Sequence, residues 1–423
     1  MKHFTLLFFV IYGISFSILQ GQSVSIDSCY IWSKQNYPAI KQYDLINQLH
    51  ELDIEKVNQQ KQLQINFGLS ASYQSDVTKL PIELPQFNIP TPGKDQYKLY
   101  TEISQPLTAL LISDDIKSLK NANAVAEAKN LDVEIYKIYE KIEDLFFGTL
   151  LIDKQLEQLE LSKSNISTAI KSTEAAIENG VALKSNLAIL QVQLKKLEQK
   201  IGEAQIQKQQ LLRMLSIMTG KEIEKFSKLE IPTPLYENNS INRPELSAID
   251  ASTNAMNAQK KIIDNQKLPV AGLFLQAGIG RPALNFLSDS FDPYYIFGLK
   301  AQWSFNSLNS TKTEKEMIDV SKNKLDIQRQ SFLRNIELRK IQVESEIKQY
   351  QEQLISDQDI IADYETILET SLNQLKYGTI STSDYIVRLN DLESARLGKV
   401  LHEMLLLSSQ YKLRNTYGNI QTN

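Results

Sequence analysis

Leu131, Ile135, Ile138, Ile142 and Leu145 step along the chain by four and three, and Ile152, Leu156 and Leu159 carry the frame past Thr149. The frame returns 198 residues later at Ile336, Val343, Ile347, Tyr350 and Leu354, with misses at Lys340 and Asp357. Ile166, Ile170 and Ile177 correspond in the same way to Tyr364, Leu368 and Leu375. An apolar stripe with this period is buried only by laying it against another helix, and spacing by seven implies a left-handed supercoil. The shared frame predicts two long helices, from about Ser113 to Glu178 and from Ser310 to Lys376. At 1.5 Å per residue each is roughly 100 Å long.

Each of these helices runs into a glycine. NGVALKSNLAILQVQL (Asn179–Leu194) aligns with YGTISTSDYIVRLNDL (Tyr377–Leu392), pairing Gly180 with Gly378, Ser185 with Ser383 and Asn186 with Asp384. Glycine takes the left-handed conformation that ends a helix, and Ser185 with Ser383, or Thr382, can cap the next one. Leu187, Leu190, Leu194, Leu197, Ile201, Ala204, Leu211, Leu215 and Met218 mark the first returning helix. The second, from Thr382 to about Asn415, has Arg388, Lys399 and His402 where the first copy is apolar. Two antiparallel helical hairpins follow.

Ahead of each long helix the period changes to two. Tyr295, Phe297, Leu299, Ala301, Trp303 and Phe305 alternate with a mostly wet row, and Tyr97, Leu99 and Ile103 do the same 198 residues earlier. Ile65 to Tyr73 and Ala271 to Ile279 are two further strands. The loops within each pair are rich in turn residues; Gln74 to Gln96 holds Pro81, Pro85, Pro90 and Pro92. Leading helices are expected at Asp27–Gln64 and about Pro244–Lys267. The chain therefore divides into a first repeat at 23–220, a linker at 221–243 and a second repeat at 244–423.

MKHFTLLFFVIYGISFSILQGQS reads as a secretory leader over residues 1–22, with Lys2 ahead of an apolar run too short and too diluted for a span. No later segment is apolar for long enough to be a membrane helix, so any membrane insertion uses strands. The net charge of −4 carries no basic patch for nucleic acid. Cys29 is alone, which rules out an intrachain disulfide, and it lies too far past the apolar run to be a lipid acceptor. Past the leader only His50 and His402 remain, too few for His-based metal or triad chemistry. No cofactor, metal site or catalytic residue is expected.

Four strands of about ten residues suit a tilted membrane crossing but cannot close a barrel alone. In order and spacing the chain resembles the TolC family of outer membrane efflux factors. The likeness rests on the tandem repeat, the strand-to-helix junctions SQPL (Ser104–Leu107) and WSFN (Trp303–Asn306), and the tips ENG (Glu178–Gly180) and KYGTISTSDYI (Lys376–Ile386). NYPAI (Asn36–Ile40) and NRPEL (Asn242–Leu246) also fit.

The resemblance implies a mainly α fold with membrane β: a homotrimer whose chains give four strands each to a shared 12-stranded barrel, above a helical coiled-coil barrel crossing the periplasm. It implies a passive duct that meets an inner-membrane transporter through a periplasmic adaptor protein. The adaptor would contact the tips at Gly180, Val181, Ala182, Leu183, Gly378, Thr379, Ile380 and Ser381. Family members often carry acidic residues six and nine positions after the second tip glycine. Here those positions are Asp384 and Val387, with Asn186 and Ile189 in the first repeat, so one acidic ring is expected at the pore entrance rather than two. Asp384 also suits the first turn of a helix, where a carboxylate complements the dipole. In the barrel, outward faces would meet lipid, and Lys98, Glu102 and Lys300 would line a wet lumen.

Other readings remain open. A periplasmic coiled-coil scaffold needs the same heptads. A trimeric surface adhesin also builds a barrel from four strands per chain, but places them together at its C-terminus, whereas here they are split between repeats. An enzyme fits least, since the many carboxylates read as solvated helix faces.

Overall fold

Pro38 divides the leading helix expected at Asp27–Gln64. In the computed structural model, which describes residues 23–78, 91–223, 228–233 and 240–420 and only the backbone of 306–309, α1 is Ile26–Asn36 and α2 is Gln42–Gln59. A short 3-10 turn, Pro38–Lys41, separates them. Tyr37 is extended, as a residue before proline prefers, and proline brings no N–H to continue the helix. The candidate leader, residues 79–90 and parts of the linker lie outside the described residues.

The remaining elements follow in the order β1 (Gln64–Tyr73), β2 (Asp95–Pro106), α3 (Leu107–Glu178), α4 (Lys184–Thr219), α5 (Pro244–Asn265), β3 (Val270–Arg281), β4 (Asp292–Gln302), α6 (Asn306–Lys376) and α7 (Thr382–Tyr417). α3 and α6 start earlier than the heptads suggest, because strand passes to helix with almost no loop. Trp303 and Phe305 correct the expected strand: both lie beyond β4. Their rings stack at 5.1 Å, and the Trp303 indole donates to the Lys267 carbonyl at 3.1 Å.

Two compact units form, and each draws on both halves of the chain. Residues 38–136 with 242–337 hold the sheet, α2, α5 and the first parts of α3 and α6. The four strands are antiparallel neighbours in the order β1-β2-β3-β4. Their register sets Leu69 beside Leu99, Leu99 beside Ile279, and Leu275 beside Phe297, so one face is apolar across all four strands. α2 is tied to α3 by Asp53–Lys120 at 3.0 Å, and α5 to α6 by Lys260–Asp319 at 2.7 Å.

The other unit holds α1, α4, α7 and the later parts of α3 and α6. Its core includes Ile152, Leu159 and Ile166 of α3, Leu190, Leu197 and Ile201 of α4, and Tyr385, Ile386 and Leu389 of α7. Each such aliphatic residue contributes about 1.5–3 kcal/mol on burial. Of the first-repeat seam, Ile138 and Ile142 are buried in this unit and Leu131 and Ile135 in the sheet unit; in the second repeat Val343 is buried here and Ile336 in the sheet unit, and Ile347, Tyr350 and Leu354 are half-buried. Cys29 of α1 is a buried free thiol, pushed up to about 12 by burial and then by Asp27. Val24 forms a parallel bridge with Leu229 of the linker.

Candidate functional site

The two hairpin tips are closed by the same hydrogen bonds. Gly180 and Gly378 have φ of 73° and 69°. The Gly180 N–H donates to Ile177 O at 3.0 Å and the Val181 N–H to Ala176 O at 2.9 Å; Gly378 to Leu375 and Thr379 to Gln374 repeat this at 3.1 and 2.9 Å. This pairing is the Schellman closure, which satisfies carbonyls the helix end leaves free. A Cβ on either glycine would meet nothing within 4 Å, so positive φ alone selects the residue.

The helices that leave the tips begin differently. Leu183 and Ser381 occupy matching N-cap positions, which corrects the expected caps: Ser185 and Ser383 lie inside the first turn and Thr382 is buried. Leu183 has the extended backbone of a cap but no side-chain hydrogen bond. Ser381 forms a full capping box. Its Oγ accepts from the Asp384 N–H at 3.1 Å, while the Asp384 carboxylate accepts from the Ser381 N–H at 3.1 Å and hydroxyl at 2.7 Å. The Ser381 hydroxyl, then its N–H, then the Arg388 charge hold the Asp384 carboxyl below the usual carboxylate range.

The fold brings the two tips together. Gly180, Val181, Leu183 and Asn186 line one cleft with Gly378, Ile380 and Thr382. Ile380 packs on the core, but Val181, Leu183 and Tyr377 are 72%, 70% and 84% exposed. Ile189 and Val387 are also exposed. These tips therefore offer apolar side chains to solvent, with one carboxylate, Asp384, fixed beside them.

The sheet sorts its side chains as the alternation predicts. Phe67, Leu69, Tyr295 and Phe297 stand on the apolar face and are 70–82% exposed. Lys98, Glu102 and Lys300 share the opposite face, joined there by Tyr100 and Phe274. Glycines make room for these rings: a Cβ on Gly68 would lie 2.3 Å from the Tyr100 ring, and one on Gly298 2.9 Å from that of Phe274. The second face is therefore mixed rather than wholly polar.

Solved structures share this architecture. The chain superimposes on the outer membrane protein VceC from Vibrio cholerae with a TM-score of 0.67 and 12% identity, over 93% of this chain and 96% of that one. For the CmeC outer membrane channel of Campylobacter jejuni the TM-score is 0.67 with 13% identity, over 93% and 85%. For the open state of the MtrE outer membrane channel of Neisseria gonorrhoeae it is 0.68 with 11% identity, over 94% and 90%. The chain has the outer membrane channel fold. No protein-family model and no curated protein sequence matches it.

Within this channel fold, no helix among the described residues is long and apolar enough to cross a membrane, which says nothing of strands. No group of three or more His, Cys, Asp or Glu side chains among them stands close enough to hold a metal.

The channel fold also contains a polar cluster that sequence reading missed. Tyr30 of α1 donates to Glu143 of α3 at 2.7 Å, and Asn415 of α7 donates to the other carboxylate oxygen at 3.3 Å. Arg414 donates to the Tyr30 oxygen at 3.2 Å and lies 4.4 Å above the Tyr411 ring. Burial pushes the Glu143 carboxyl up to about 7, against the opposing pull of Tyr30, Arg414 and Asn415. The sequence offers one hint: Glu143 directly follows Ile142 of the seam, where a carboxylate needs a partner.

Proposed function

We propose that the chain is one subunit of a homotrimeric channel of the TolC family, set in the outer membrane and reaching into the periplasm. It serves a tripartite efflux or type I secretion system as a passive duct. The sheet carries this reading. Its strands have 10, 12, 12 and 11 residues, its exposed apolar face is continuous, and among the described residues no strand pairs with the outer edges of β1 and β4. Strands of that length suit a tilted crossing, open edges are not tolerated in lipid, and four strands cannot close. Three copies joined edge to edge make a 12-stranded barrel with Lys98, Glu102 and Lys300 inside. The likeness to outer membrane channels supports the same reading.

The tips act as the periplasmic entrance. Gly180 to Leu183 and Gly378 to Ser381 meet an adaptor, which their exposed Val181 and Leu183 suit, and the adaptor links the duct to an inner-membrane transporter. Three Asp384 carboxylates form an acidic ring, with Asn186, Ile189 and Val387 around it. An adaptor that binds the open entrance better shifts the population toward it, with no bond made or broken.

The test is reconstitution. Protein extracted from outer membranes should be a trimer and should conduct ions in a planar bilayer, and Asp384→Ala should alter conductance or cation preference. A monomer without conductance ends the proposal; an unaltered Asp384→Ala channel removes Asp384 from the gate alone.

A further inference from the structure

The two repeats bury the same helix face to different extents. β1 matches β3 with Phe67 at Leu273 and Leu69 at Leu275, and the preceding helices keep that register, with Val57 of α2 and Ile263 of α5 both buried. In this register Leu45, Leu49 and Leu52 of α2 stand where α5 has Ala251, Ala255 and Ala258. Ala251 and Ala258 are 6% and 9% exposed, but the three leucines are 56%, 60% and 61% exposed. Spacing by four and three puts those leucines on one helix face.

The α5 face has its neighbour within the chain. α3 follows β2, α5 precedes β3, and β2 pairs with β3. The helices meet where Asn265 of α5 donates to Asp115 of α3 at 3.0 Å. α6 follows β4 and α2 precedes β1, the two strands whose outer edges are open among the described residues. A second copy that pairs its β1 with β4 brings its α2 beside α6, in the relation α5 has to α3.

We infer that Leu45, Leu49 and Leu52 of one copy pack against Val320 and Ile327 of the next, forming a helix seam between subunits. The level follows from the contact within the chain. Seven residues back from Asn265 is Ala258, and seven on from Asp115 is Ala122, which is half-buried. The corresponding positions are Leu52 and Val320, and seven further steps reach Leu45 and Ile327. Val320 and Ile327 are 68% and 62% exposed in the single chain. Leu52 and Val320 are larger than Ala258 and Ala122, their inner counterparts, and set the two helix axes further apart at that level. The seam rests on the trimeric reading above.

Two double variants test it in reconstituted full-length protein: Leu52→Cys with Val320→Cys, and Leu45→Cys with Ile327→Cys. A short bis-maleimide should convert most of each into linked dimers and trimers on a denaturing gel. The four single variants should remain monomers there; they carry the buried Cys29 and so control for it. Light scattering on the same samples separates the two levels of the claim. A trimer that links at neither pair overturns the seam and leaves the trimer standing, whereas a monomer overturns both.

Discussion

His402 on α7 and Asp357 on α6 meet at 2.6 Å, at the positions where the first hairpin holds Ala204 and Leu159. Ala204 and Leu159 belong to the buried apolar core. The second hairpin has instead a polar pair, with Tyr350 stacked on the imidazole at 6.2 Å. Parting a polar pair lets water satisfy both groups, while parting apolar residues forfeits their transfer free energy. Asp357→Leu with His402→Ala should therefore slow amide exchange on both sides of that contact. Asp357→Leu alone should cost about 1–3 kcal/mol, because the half-buried imidazole loses its partner. Equal exchange in the double variant and the parent would show that this pair does not set the strength of the seam.

The unequal caps at the tips make a second prediction. Ser381→Ala removes the acceptor for the Asp384 N–H and should weaken the first turn of α7 by about 1 kcal/mol. Leu183 already has the extended backbone of an N-cap, so Leu183→Ser should strengthen the start of α4 by a similar amount, about 1 kcal/mol. Amide exchange in the two first turns reads both changes. Opposite signs are expected, and a loss at both sites would mean that Leu183 is held by packing rather than left uncapped.

Much of this architecture is legible in the sequence because period is a direct record of burial. The heptads locate α3, α4 and α6, and the two-residue alternation locates four strands whose register then aligns one apolar face. Element ends are less legible. Pro38 cuts the leading helix expected at Asp27–Gln64, and Trp303 continues an alternation after the backbone has left the strand. The tips are found by their glycines, yet the cap at Ser381 is displaced by one position from Thr382, since a hydroxyl at either can serve. The Tyr30–Glu143–Asn415 cluster is hidden because its members are distant in sequence and come from three different helices, α1, α3 and α7. Asp357 and His402 look like two separate defects until the fold pairs them.

The tip glycines should be costly to replace even though space is free. Gly180→Ala and Gly378→Ala put a Cβ at positive φ, a penalty of about 1–2 kcal/mol each. Asparagine tolerates this region better, so Gly378→Asn should lose less. Limited proteolysis of the reconstituted protein should cut the alanine variants faster at the tips. Alanine and asparagine variants cut at one common rate would mean that φ is not what selects glycine there.

Glu143 should make the docking of α1 depend on pH. The residue is 2% exposed, and its carboxyl is pushed up from 4.5 to about 7 in the folded chain, chiefly by burial. A group whose folded value is raised binds more protons when folded than when unfolded. The stability it contributes is full below about 4.5, falls as pH rises toward about 7, and then stays level at a deficit of about 3 kcal/mol. Glu143→Gln keeps an acceptor for Tyr30 and carries no charge, so it should remove that slope. Two measurements check this. At pH 6 an infrared difference between parent and variant should show a protonated carboxyl band that is gone by pH 8.5. Over the same range, amide exchange in α1, corrected for its intrinsic rate, should accelerate in the parent and stay flat in the variant. An absent band at pH 6 would show that Tyr30, Arg414 and Asn415 stabilise the carboxylate enough to outweigh its burial.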